Sequence, residues 1–193
     1  MKKSVLVKNI IVSAFAIEFG LAAFLLSFLA KLQLTNEGGT GTFNNIIWGC
    51  TTITSGGYTI PIYEILGVYR VPALSWQVFG LLLILFGSIG SIILAWTIRK
   101  PFAKWLIMIC TILVLIGSIV QFFAYTAFLR SMVEAVAHAN GVYDQAQIDE
   151  VYYQAKAQYD SNYPKTAVSV AIGVFGILGA IGMFIPRMIP EKN

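Results

Sequence analysis

Glu18 is the only acidic residue inside a long apolar block, Ile10 to Ala30. A carboxylate at membrane depth costs about 2.5 to 3.5 kcal/mol on insertion scales, so it is expected to face other helices, carry a proton, or both. Gln77 and Gln121, in later apolar blocks, are the candidate polar partners. The functional reading is a proton or cation site; the structural one is an interhelical hydrogen bond, favoured because no basic residue or second carboxylate stands at that depth. Cys50 and Cys110 are the two cysteines, and no CxxC pair exists for thiol exchange. With Cys50 in a loop and Cys110 within a span, they are poorly placed to pair, which leaves Cys50 free or joined to another chain. His138 is the sole histidine, so a multi-histidine metal site, a bis-histidine haem and a Ser-His-Asp triad are not expected within the chain. Gly56-Gly57 lacks the strand–turn–helix setting of a phosphate loop. These absences predict a protein that is not a self-contained enzyme and holds no cofactor.

The elements that position these residues are set by composition. Of 193 residues, 58% are hydrophobic and 11% charged, and the mean hydropathy is +0.77. A soluble domain carries about a quarter charged residues and cannot hide so much apolar surface. About 20 apolar residues span a bilayer core. Four blocks meet that length: 10–30, 73–98, 105–129 and 166–185. The expected fold is an all-α membrane protein, a four-helix transmembrane bundle forming one integral domain. The length of the first block, with no small-residue cleavage site after it, favours a retained helix over a signal peptide.

Charge sets the orientation. With the N-terminus in the cytosol, Lys2, Lys3, Lys8, Arg99, Lys100, Lys104, Arg187 and Lys192 face Glu191 alone on that side, a net +7. The other side holds five basic and seven acidic residues, a net −2. The basic balance therefore reads as a positive-inside signal and not as a nucleic-acid footprint, with both termini cytosolic. A competing count makes 43–68 a fifth span, but Gly56-Gly57, Pro61 and Glu64 argue against it. The outer loops are then 31–72 and 130–165.

The first loop is rich in Thr, Gly and β-branched residues, which predicts short strands. In the second, helix formers run on from the third span, Gly141 is the expected stop, and Asp144 with Gln147 resembles a capping box. Ile148, Tyr152 and Tyr159 then follow at helical spacing, either packing on this protein's own cap or presenting a partner face. Gly87 and Ser91, and Gly173, Gly176, Gly179 and Gly182, stand at the small-residue steps that let helices approach closely.

Four spans, a larger first outer loop carrying Ile47-Trp48-Gly49-Cys50, and Arg70 just before the second span make the chain resemble the claudin and peripheral myelin protein superfamily. That family carries a Gly/Asn-Leu-Trp-x-x-Cys signature, a second loop cysteine and an Arg near the second helix. Here one residue separates Trp48 from Cys50 and the second cysteine is missing, so the family's loop disulfide cannot form. The resemblance implies a non-enzymatic protein that acts by contact, as a structural, adhesion or auxiliary subunit at the plasma membrane. Its expected partners are the bilayer and other membrane chains. Trp48, Gly49, Cys50 and Arg70 are the loop motif in this reading. The rival is an accessory subunit of a respiratory or proton-handling complex that uses Glu18.

Overall fold

A computed structural model describes residues 3–36, 39–97, 102–160 and 167–188. Lys2, Glu37, Arg99, Lys100, Lys165, Glu191 and Lys192, which enter the charge count, lie outside them. Helix α1 (Lys3–Phe15) runs into a π-helical turn (Ala16–Leu21), a short α2 (Ala22–Leu26) and a 3-10 turn (Ser27–Leu29). Strands β1 (Lys31–Asn36), β2 (Gly39–Asn44), β3 (Thr52–Ser55) and β4 (Tyr58–Pro61) follow, then α3 (Tyr63–Leu66), α4 (Ser75–Thr97), α5 (Phe102–Gln121), α6 (Ala124–Ala139), α7 (Gln145–Asp160) and α8 (Ala167–Met188). The chain divides into a helix unit (Met1–Leu26, Phe79–Phe122, Val170–Asn193) and a loop unit (Ser27–Val78, Phe123–Ser169).

Four helical stretches among the described residues are long and apolar enough to cross a membrane: Val5–Leu29, Ser75–Thr97, Lys104–Gln121 and Val168–Pro186. Only 28% to 44% of each apolar window is buried within the protein. The outward side chains include Phe86, Ile93, Ile109, Ile112 and Ile181, where a water-facing helix would carry charge. Helices apolar all round fit lipid, and the chain reads as a multi-pass helical membrane protein.

Small residues close the helix unit into a ring. The Gly20 Cα abuts Ser88 of α4, and the Trp96 indole donates to Ser13 Oγ at 2.8 Å, so the first span pairs with α4. Gly80 and Gly117 bring the backbones of α4 and α5 together, Gly176 meets Ser118 of α5, and Gly179 meets the Gly20 amide. Along each pairing the contacts advance on one helix as they retreat on the other, as in Gly20–Ser88 with Ser13–Trp96 and Gly80–Gly117 with Gly87–Cys110, which is antiparallel packing. Gly87 sits on Cys110 and Val114 of α5, Gly173 on the Phe122 ring just after it, Gly182 on the Phe15 ring, and Ser91 is buried.

The loop unit makes the fold more than all-α. Its strands form an antiparallel sheet in the order β1-β2-β3-β4. Leu32, Phe43, Ile53 and Ile60 are cross-strand partners in one row, and the first three are buried. Phe43 meets Phe128 of α6 edge-on at 5.4 Å. The alternate row is polar: Asn44 Nδ2 donates to Thr54 Oγ1 at 3.0 Å, and Thr54 and Thr59 share a hydrogen bond. Gly56 and Gly57 both hold positive φ, 57° and 86°, in the two-residue link between β3 and β4, as a type I′ hairpin requires. The stretch 43–68 thus forms strands and a short helix, not a fifth span.

The third span also differs from the expected 105–129. Helix α5 ends at Gln121, the Phe122 amide bonds back to the Ile119 carbonyl, and a turn at Phe122-Phe123 precedes α6. Gly141 does terminate α6, through Val142 N–H to the Ala137 carbonyl and Gly141 N–H to the His138 carbonyl, a Schellman cap. Asp144 caps α7 by accepting the Ala146 amide at 3.1 Å.

Candidate functional site

The loop motif is held as a rigid turn within the loop unit. Backbone bonds pin it on three sides: Ile46 N–H to the Ala30 carbonyl, Leu74 N–H to the Ile47 carbonyl, and a reciprocal pair between Cys50 and Val71. Ile46, Ile47, Cys50, Ile62 and Val71 are each fully buried. The Trp48 ring stacks face to face on Phe28, with centroids 5.0 Å apart and planes at 1°, and its Nε1 donates to Ser27 Oγ at 2.9 Å. Gly49 has φ +116°, a backbone state open to glycine, and a Cβ there would stand 3.6 Å from the Arg70 guanidinium. Gly49 and Arg70 are therefore neighbours, although they are distant in sequence.

Cys50 is structural. Its thiol donates to the Thr52 carbonyl at 3.3 Å and is fully buried; burial pushes its pKa up, against the effect of the backbone hydrogen bonds. A buried, protonated thiol is a poor nucleophile and is out of reach of another chain's cysteine. Both Cys50 and Cys110 are free.

Beside the motif, the exposed surface is aromatic, with Glu64 and Arg70 both open to its surroundings. Tyr63 and Tyr69 stack at 4.7 Å and 13°, and they are 50% and 81% exposed. Arg70 and Tyr58 are exposed too, and Trp76 opens α4 at 74% exposure. Tyr, Trp and Arg are the residue types that dominate protein interfaces, and rings already stacked lose little freedom on docking. Sequence spacing did not single out Tyr63 or Tyr69, because the turn at Gly67 that brings them together has no helical or strand period.

The helical pair α6–α7 is tied by charge. Arg130 Nη2 donates to Asp149 Oδ1 at 2.6 Å and its Nε to Glu134 Oε1 at 3.0 Å, while the guanidinium lies 5.4 Å from the Tyr152 ring centroid. Ile148 and Tyr152, read above as a possible partner face, are 1% and 8% exposed. That face is consumed within the loop unit, because α7 packs on α6 and β1. The backbone of Tyr159 continues α7, but its side chain lies outside the described residues. An apolar cavity of about 360 Å³ opens among α3, α6 and α7, lined by Leu66, Met132, Val133, Val136, Ile148 and Val151.

The Arg130 contact, with Gln145 assisting, holds the Asp149 carboxyl below its ordinary value. A depressed carboxyl contributes stability that is present above the unfolded value of about 3.9 and lost as pH falls through the folded one. Stability of the α6–α7 pair is thus expected to stay level from pH 7 to 5 and to decline below about pH 4. Amide exchange across α6 and α7 should show that acid decline in the native chain, and Asp149→Asn should flatten it; an unchanged profile would remove the ion pair from the picture.

In the helix unit Glu18 is exposed, at the third position of the π-helical turn, and makes no hydrogen bond or ion pair with a described residue. The expected bond to Gln77 or Gln121 is not formed. Gln121 is buried and its Nε2 donates to the Gly117 carbonyl at 3.3 Å, and Gln77 is buried in the loop unit. His138 stacks on Tyr143 at 5.1 Å, and among the described residues no three His, Cys, Asp or Glu side chains gather as metal ligands.

The fold and the site define a class: a multi-span helical membrane protein whose loops build a four-stranded sheet and expose a stacked tyrosine pair. No protein-family model, curated protein or solved structure matches the chain.

Proposed function

We propose that this chain is a non-enzymatic subunit of a larger membrane assembly, acting through contacts of its loop unit and spans, in the plasma membrane with the loop unit outside. The observation that carries the reading is the rigid presentation of Tyr63, Tyr69 and Arg70 beside a buried, pinned motif. A surface held in shape by its own core, and rich in interface-prone side chains, is suited to docking a protein. The loop motif and four spans support a claudin-like adhesion or auxiliary role over a catalytic one. Tyr69→Ala with Arg70→Ala should leave the folded loop unit intact and reduce co-purifying membrane chains at least tenfold, about 1.4 kcal/mol or more. Undiminished recovery of the same chains, by quantitative mass spectrometry, would refute it.

A further inference from the structure

We propose that the outward stripe of the first span, centred on Glu18, docks a transmembrane helix of another chain that carries an arginine or lysine at the same depth. Glu18 lies thirteen residues after Val5 and eleven before Leu29, so it stands roughly 15–20 Å from either end of the span, near the middle of the bilayer core. The inner face of this span is Val12, Ala16, Gly20 and Ala23, all buried, with Gly20 against Ser88 and Gly179. The opposite face is Ile10, Ile11, Ile17, Glu18 and Leu25, all exposed. Ile11, Glu18 and Leu25 all belong to that exposed face, one in each of the three consecutive helical segments of the span.

Among the described residues nothing answers the carboxyl. The nearest basic residue along the span is Lys8, ten residues and about 15 Å away. An uncovered polar group in hydrocarbon is costly, and such residues ordinarily find a partner of opposite charge or a donor. Lipid headgroups do not reach that depth. A second copy would place carboxyl against carboxyl, a pair that is satisfied only while it keeps a proton, whereas a basic side chain answers the ionised group. A basic helix supplies both the charge and the apolar flanks, and the π-helical turn that carries Glu18 is a form often found at functional positions. The inference rests on the assembly reading and names the in-membrane contact of that assembly.

The test uses donor-labelled full-length protein in phosphatidylcholine vesicles with acceptor-labelled leucine-alanine transmembrane peptides. A peptide with one central arginine should associate about tenfold more tightly than an all-apolar control. Moving the arginine two turns toward either end should abolish the preference, as should Glu18→Gln in a protein with unchanged circular dichroism. Equal association of the two peptides, retention of the preference in Glu18→Gln, or energy transfer between protein copies that requires Glu18 would each overturn the proposal. The size of the native particle is read separately. A multi-chain particle with indifferent peptides overturns the Glu18 pairing alone, whereas a lone chain that still selects the arginine peptide overturns the assembly reading.

Discussion

Trp48→Ala is expected to destabilise the loop unit by about 3 kcal/mol, near the lower end of the range for truncating a large aromatic because the ring is half-buried. Three losses combine. The stacked contact with Phe28 disappears, the Nε1 hydrogen bond to Ser27 is removed, and the turn Asn45–Gly49 loses the side chain that fastens it to the end of the first span. Trp48→Phe keeps a ring over Phe28 and forfeits the donor, so about 1 kcal/mol is expected. Thermal unfolding of the detergent-purified protein, followed by protease cleavage between Lys31 and Arg70, separates the two. Equal midpoints for native and Trp48→Ala chains would deny the tryptophan any anchoring role.

Gly117→Val should be the most damaging single change in the helix unit. A Cβ at Gly117 would run into the Gly80 carbonyl, which belongs to the backbone of α4 and cannot rotate aside. The helices must separate, and every contact along their crossing weakens, so a cost at or above the usual 1–3 kcal/mol for overpacking is expected. Gly90→Ala provides the contrast, because the added methyl meets only the Cys110 Sγ at 3.0 Å, and that side chain can shift by a few tenths of an ångström. Aggregation midpoints on heating should fall in the order native, Gly90→Ala, Gly117→Val. If Gly117→Val matches Gly90→Ala, the close approach of α4 and α5 does not support the bundle.

The spans were legible because lipid demands length and apolarity along the chain, and those properties are local. The ends were less so: nothing in Gln121-Phe122-Phe123-Ala124 punctuates an apolar run, and the break between α5 and α6 carries neither Pro nor Gly. The π-helical turn around Glu18 is equally silent, and the inward expectation for Glu18 came from the cost of a carboxylate in hydrocarbon alone. The small-residue steps in α8 stood out by spacing, whereas the Gly80–Gly117 crossing needs two helices to be placed before either glycine has meaning. In the loops, Gly141 and Asp144 announced the α6–α7 turn by cap chemistry, but burial of Ile148 and Tyr152 depended on β1 lying beside α7. The Tyr63–Tyr69 stack was invisible for the same reason: pairing across Gly67 is a property of the turn and not of a period.

The central claim is that the chain works as one member of a membrane assembly. Cross-linking in intact native membranes, followed by mild extraction and mass measurement, tests it most directly. The particle is predicted to exceed the 21.2 kDa of the single chain by the mass of other membrane chains, and to shrink when Tyr69 and Arg70 are replaced by alanine. A particle of one chain, unchanged by those replacements and fully active in its cell, would contradict it.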